Sequence, residues 1–253
     1  MFQLRGHPLS GGHMMGRVVL YREAGFLDEV RKLSVQPDHD QLPGRIAVFG
    51  GKPLPGTVGE CIGSSWTSGG GGVLVEEASD SVRQLLMEEH LPAVSGISPD
   101  YFQTGDLVRM DGSTGQVELE NVFAKEVVTC LVQSGGKTLI LKRSDLVGSF
   151  QRKWASVSGY IEENETPYEA ALKEIREELS VSDPVLVRRG SPVISRKEGT
   201  VWISHPFLFS VALDTNIKID WEHTDFRWIT LNELSNYDTV PGLNRLIDAL
   251  GLK

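Results

Sequence analysis

The sequence predicts a two-domain α/β protein, and three observations carry that expectation. The chain has 253 residues, long for a single core and ample for two domains of about 100–150 residues each. Its N-terminal half reads as short apolar runs punctuated by glycine, and the pattern restarts near Asn121 with longer strands and a strongly amphipathic helix. The boundary is placed at Val122, giving domains over residues 1–122 and 123–253. Charge divides unevenly in the same place: residues 1–122 carry 9 basic and 16 acidic groups, the remainder 16 and 18.

The elements follow in order. Strands are expected at residues 16–21, 45–49, 73–76, 107–110 and 116–119, the last two joined by the turn Asp111-Gly112-Ser113-Thr114-Gly115. A helix is expected over residues 80–89, where Val82, Leu85 and Leu86 repeat at i, i+3, i+4 and Leu91-Pro92 stops the run. Beyond the boundary, apolar runs at 127–132 and 138–141 flank Ser134-Gly135-Gly136-Lys137, a hairpin signature. A further strand is expected at 200–211, carrying Trp202, His205 and Phe207, which read as core or edge packing.

Bulk properties exclude several function classes. Hydrophobic content of 40% with 23% charged residues argues against wholesale disorder. A net charge of −9 argues against nonspecific nucleic-acid binding, which needs excess Lys and Arg. The two cysteines, Cys61 and Cys130, lie far apart without a CxxC partner, so they read as reduced structural thiols and not as zinc ligands. The opening MFQLRGHPLSGG lacks the layout of a signal peptide, and no apolar run reaches the ~18 residues that span a bilayer. A cytoplasmic location away from membranes is the default expectation. Ser64–Gly72 reads as a connector, because a strand and not a helix follows it. Asp38-His39-Asp40 reads as a solvated turn.

The informative stretch runs from Gly159 to Val181, GYIEENETPYEAALKEIREELSV. Thr166, Pro167 and Glu169 form a capping-box signature with proline at the first helical position. On the helix that should begin there, Tyr168, Ala171, Leu172, Ile175 and Leu179 fall within an arc of roughly 100°, a face suited to burial against a sheet. Glu174, Glu177 and Glu178, at i, i+3, i+4, are expected on a different face. Carboxylates this close raise each other's pKa unless cations neutralise them, and such hard oxygen ligands suit Mg²⁺ or Mn²⁺. Taken alone, the string reads as readily as a solvated acidic face laced with Lys173 and Arg176.

Context separates the two readings. The spacing resembles the Nudix box, Gly-x5-Glu-x7-Arg-Glu-U-x-Glu-Glu-x-Gly-U, in which U is a bulky apolar residue. The matching positions are Gly159, Glu165, Glu174, Ile175, Glu177, Glu178 and Val181. Trp154 before the box and the segment WITLNEL at 228–234 also resemble the family. Lys173 stands where the family has Arg, and Ser180 where it has Gly. The resemblance covers roughly residues 123–253 and implies an α/β/α sandwich. It implies that Glu174, Glu177, Glu178 and the Gly159 carbonyl hold divalent metal, with Glu174 as metal ligand or general base and Glu165 supporting the loop. Lys173 takes the place of the Arg that orients the catalytic glutamate, as a point charge instead of a rigid fork. Glu222 lies where relatives place a further acidic residue for metal or base. Lys142 and Arg143, ending a strand, are candidates for phosphate contact. The reaction implied is magnesium-dependent hydrolysis of a diphosphate bond in a nucleoside diphosphate linked to another moiety, with manganese as a substitute. The rival is a non-catalytic nucleotide-binding module.

Residues 73–119 resemble the closing part of a swivelling β/β/α domain, the phosphohistidine domain of phosphoenolpyruvate-utilising enzymes. The matching segments are Leu91-Pro92-Ala93-Val94-Ser95-Gly96, residues 105–112 and residues 114–117, with GHPLSGGHMMG at 6–16 also similar. Where that family carries its histidine triplet this chain has Ser79-Asp80-Ser81, so phosphohistidine transfer is not expected. The roles left for this domain are covering the site, binding substrate or forming a homodimer.

Overall fold

The computed structural model describes residues 1–21, 44–59 and 71–252. Cys61, Asp38-His39-Asp40 and most of the 64–72 connector lie outside the described residues. The chain forms two compact units, Met1–Ala124 with Ser195–Val201, and Lys125–Ile194 with Trp202–Lys253.

In the first unit the strands are β1 (Phe2–Arg5), β2 (His7–Ser10), β3 (His13–Tyr21), β4 (Arg45–Phe49), β5 (Gly71–Val75), β6 (Ala93–Ser95), β7 (Leu107–Asp111) and β8 (Gln116–Leu119), with helix α1 (Asp80–Glu88) between β5 and β6. They build one eight-stranded sheet in the order β1-β8-β7-β3-β4-β5-β6-β2. β3, β4, β5 and β6 run parallel in succession, and the flanking pairs are antiparallel. β1 and β2 stand at opposite ends of this order, yet only Gly6 separates them in sequence, so the sheet rolls round until its ends approach. The Gly6 N–H donates to the Gly115 carbonyl at 2.9 Å, extending the β1–β8 pairing by one residue before the chain enters β2. Burial follows parallel-strand logic: every residue of β5 is buried, and Val82 and Leu86 of α1 pack with Ala47, Phe49, Val73, Val75 and Ala93. Gly71 and Gly72, expected in the connector, open β5 instead.

The second unit is built from β9 (Phe123–Ser134), β10 (Lys137–Arg143), β11 (Trp154–Ala155), β12 (Val157–Tyr160), helix α2 (Pro167–Leu179), β13 (Val185–Arg189), β14 (Val193–Lys197), β15 (Thr200–Ser210), β16 (His223–Ile229) and helix α3 (Leu243–Ala249), with the first two residues of β9, the last three of β14 and the first two of β15 belonging to the first unit. The sheet order is β11-β10-β9-β15-β13, with β12 on β9, β14 on β15 and β16 on β10. The expected hairpin forms: Ser134 faces Lys137, and Gly135 and Gly136 both take positive φ, as a two-residue primed turn requires.

Side-chain alternation makes this sheet apolar on both faces. Val128, Cys130, Val132, Leu139, Leu141, Phe207 and Phe209 point to one face, where Ala170, Ala171, Ile175 and Leu179 of α2 cover them. Leu131, Ile140 and Leu208 point to the other, against Leu243, Ile247 and Leu250. The unit is therefore a sheet between helices. Cys130 is a free, buried thiol within the first of these cores. No helix among the described residues is long and apolar enough to cross a membrane.

Candidate active site

The site begins with the way α2 starts. The Thr166 hydroxyl accepts from the Glu169 N–H at 3.3 Å, and the Glu169 carboxylate accepts from the Thr166 N–H at 2.9 Å. This reciprocal box, with Pro167 at the first turn, fixes where the helix begins and hence where its glutamates point. At the other end Ser180 takes the left-handed conformation (φ 57°) that a glycine would adopt more easily. The exit keeps its turn and carries a cost of about 1–2 kcal/mol for a residue with a Cβ.

Glu178 departs from the expectation of a separate acidic face. It is 3% exposed and belongs to the buried side of α2. The reason is periodicity: Ala171, Ile175 and Glu178 stand at i, i+4, i+7, one stripe of the helix. Its Oε1 accepts from the Ser158 N–H of β12 at 3.2 Å. Its Oε2 has no hydrogen-bond partner among the described residues and lies 3.7 Å from His223 Nε2, which is equally unpartnered. The other His223 nitrogen, Nδ1, lies 3.2 Å from Asp220 Oδ1. Burial pushes the Glu178 carboxyl well above the usual range, partly opposed by the Ser158 hydrogen bond. Burial holds the His223 imidazole below its ordinary value, against the pull of Asp220.

Glu174 lies against Gly159: a methyl group at residue 159 would collide with the Glu174 carboxyl and push it from its present position. Burial pushes the Glu174 pKa up to about 7, with Glu177, Glu222 and Glu165 adding to the rise and Lys173 opposing it. Lys173 reaches back from α2 to the loop before it, 3.2 Å from Glu162 and 3.1 Å from Glu165, and stands 4.0 Å from Glu174. Burial works downward on the ammonium, but the paired carboxylates outweigh it and its pKa rises. Glu165 is pulled down first by the Glu162 N–H it accepts from and then by Lys173.

Glu222 joins from the loop before β16. Its carbonyl accepts from the Ser144 N–H at 2.7 Å, which ties that loop to the end of β10. Burial and Asp220 raise its pKa, and Arg143 lowers it. Arg143 therefore stands within the field of the acidic cluster, with its Nε donating to the Ser149 carbonyl at 3.1 Å. Lys142 pairs with Asp225 of β16, its carbonyl accepts from the Thr224 hydroxyl, and its charge adds a small pull on Asp145. Of the sequence candidates, Gly159, Lys173, Glu174, Glu177 and Glu222 act on one another directly, and Glu178 approaches from the buried side. Sequence reasoning missed Ser158, Asp220 and His223, although His223 directly follows Glu222.

The donor set consists of carboxylate and carbonyl oxygens, the chemistry of a hard divalent cation. Among the described residues no three acidic, imidazole or thiol groups converge into a ready-made cage. The buried Glu178 Oε2 nevertheless lacks a hydrogen-bond partner among the described residues, and a cation suits such an acceptor.

At Ser79-Asp80-Ser81 the Ser79 hydroxyl accepts from the Val82 N–H at 3.3 Å and serves as the N-cap of α1.

Comparison with known proteins places the second unit. A family model described as the NUDIX domain matches residues 123–250. A nucleoside triphosphatase NudI from Escherichia fergusonii is 27% identical over 139 residues, covering 51% of this chain and 97% of that protein. Its namesake from Escherichia coli O139:H28 is 28% identical over 140 residues, with the same coverage. Among solved structures, the MutT protein from Methanosarcina mazei Go1 aligns with a TM-score of 0.45 and 21% identity over 53% of this chain and 96% of its own.

Proposed function

Because the chain belongs to the Nudix family, hydrolases of phosphoric anhydride bonds, we propose that it hydrolyses the diphosphate bond of a nucleoside diphosphate linked to a further group, with Mg²⁺ or Mn²⁺ required. The observation that carries this reading is Glu174, wedged against Gly159, about 7 in pKa and flanked by Lys173, Glu177 and Glu222. The names of the relatives favour a nucleoside triphosphate, in which the further group is simply phosphate.

Glu174, Glu177, Glu178 and the Gly159 carbonyl would hold the cation, which when bound supplies charge neutralisation at the diphosphate and a more acidic water. The protein's own groups do the rest. Glu174, as an alternative to ligating the cation, would accept a proton from the attacking water, for which its raised pKa in the metal-free protein suits it. Glu222, raised less far, is the second candidate base. Lys173 clamps the loop carboxylates Glu162 and Glu165 to the helix and keeps Glu174 in place. Arg143 offers a cation for a phosphate oxygen beside Glu222.

We read the first unit as a scaffold related to the swivelling β/β/α domains. With Ser79 committed to capping, it retains no phosphoryl carrier there. Covering the site, substrate contact and homodimer formation are the roles open to it, and the whole chain acts on a small nucleotide in the cytoplasm. A turnover screen against nucleoside triphosphates, dinucleoside polyphosphates and nucleotide sugars, with Mg²⁺, with Mn²⁺ and with chelator, tests this reading. Cleavage that the chelator abolishes is the expected result. Metal-dependent nucleotide binding without any turnover would favour the sensor instead.

A further inference from the structure

Tyr160 and Trp202 lie outside the two aromatic clusters that pack in the cores of their unit, as do the exposed Phe150 and Trp221. Tyr168, Phe207 and Phe209 pack in the core beneath α2, and Trp154 and Tyr237 in the core beneath α3. Tyr160 and Trp202 belong to neither cluster, and Tyr160 is 54% exposed. Their ring centroids are 6.0 Å apart with the planes tilted by 40°. The Lys125 ammonium lies over both rings, 5.5 Å from the Tyr160 centroid and 5.2 Å from that of Trp202.

Strand geometry explains the grouping. Tyr160 ends β12, which pairs with β9 so that Tyr160 faces Val127, and the next strand on the other side of β9 is β15, where Trp202 sits. Alternation sends Lys125 to the same face as Leu131, and Trp202 to the same face as Leu208. This is the face opposite α2. Gly159, one residue back along β12, turns to the α2 face and meets Glu174. Tyr160 is thus one residue along β12 from Gly159, on the opposite face of the sheet, with Trp202 two strands over on β15.

Core packing does not account for Tyr160, since half of its surface is left in water, while Trp202 beside it is half-buried. An exposed aromatic ring beside a cation is suited to flat, electron-poor heterocycles: the ring face stacks, and the ammonium donates to a ring carbonyl or a nearby phosphate oxygen. We propose that Tyr160 and Trp202, bridged by Lys125, form the platform on which the base of the nucleotide substrate stacks. The cleft between the rings already holds the ammonium, so the base takes the outer face of Tyr160. Its phosphates then extend past Gly159 toward Glu174 and Glu177. The assignment rests on the nucleotide-hydrolase reading of the same unit and adds to it the group that recognises the base.

The test compares a nucleoside triphosphate with inorganic tripolyphosphate, which has the same anhydride and no base. Equilibrium binding of each is measured for the full-length wild type, Tyr160→Leu and Trp202→Leu in the presence of Mg²⁺, with turnover followed in parallel. Each substitution is expected to weaken nucleoside triphosphate binding and raise its KM by about tenfold, the loss of one base–aromatic stack. The kcat and the tripolyphosphate affinity should stay within about twofold of wild type. Equal weakening toward both ligands, or no change toward the nucleotide, overturns the platform. If the wild type binds nucleotide without turning it over, the hydrolase reading fails, and the same binding comparison still decides the platform. Should Trp202→Leu not fold, Tyr160→Leu at its exposed position carries the comparison alone.

Discussion

Helices α1 and α2 begin alike and differ in what they bury. Both open on a hydroxyl cap, Ser79 and Thr166, and both set an apolar stripe against a sheet. The buried residues of α1 are Val82 and Leu86, with no charge among them. Those of α2 are Ala170, Ala171, Ile175 and Leu179, and in the same stripe Glu178. Docking a helix on a sheet does not call for a buried carboxylate, as α1 demonstrates, and desolvating one is costly. On the proposed function, the α2 stripe is a compromise between packing and chemistry, whereas the buried residues of α1 are apolar alone.

The largest effects should be common to both helices. Ile175→Ala and Leu86→Ala each remove a fully buried side chain and are expected to cost about 2–5 kcal/mol in chemical denaturation. A much smaller loss from Leu86→Ala would mean that α1 is the looser element and that the comparison is unequal from the start.

Glu178→Leu separates the helices. Replacing a buried carboxyl by an apolar group of similar size should raise stability by about 1–2 kcal/mol. In the same variant turnover should fall at least 100-fold, on the order expected when a group that serves the chemistry is lost. Lower stability in the variant would show that Glu178 is held by more than the Ser158 N–H and would remove the contrast with α1.

The C-termini sharpen it further. Ser180→Gly should stabilise by about 1 kcal/mol, because Ser180 holds a left-handed conformation. Glu89→Gly at the end of α1 should give no gain, since Glu89 is right-handed with φ −78°. Thermal melting of the two variants side by side checks both.

A smaller effect lies in pH. Glu174 has a folded pKa of about 7 against an ordinary value of 4.5. Folding therefore favours its protonated form, so its contribution is fully present below about pH 4.5 and is lost as pH rises through 7. Stability of the metal-free protein should decline across that window, and Glu174→Gln should flatten the decline. An unchanged slope in the variant would place the titration elsewhere.

How much of this was legible depends on the range of the interactions involved. The start of α2, the hairpin at Gly135-Gly136 and the extent of α1 rest on neighbours within a few residues, and each appears where the pattern put it. β1 and β2 were not foreseen, because Phe2 pairs with Leu119 and His7 with Ser95, and short segments carry no signal for so distant a register. α3 was missed as well: it has seven residues and opens on Gly242 without a side-chain cap. Within the site, the glutamates, Gly159 and Lys173 were readable because they lie in one contiguous stretch. The burial of Glu178 was implicit in the Ala171–Ile175 spacing and was overlooked. Asp220 and His223 meet Glu178 only through tertiary packing, which no local pattern in the sequence signals.

The most direct test of the central claim is the turnover of Glu177→Gln, measured beside the wild type on the best nucleotide of the screen across a Mg²⁺ titration, with melting temperatures recorded for both. Loss of turnover by at least about 100-fold at every Mg²⁺ concentration, with the melting temperature unchanged, is the predicted result. Full turnover in Glu177→Gln would contradict the account, because the acidic face of α2 would then be dispensable to the reaction.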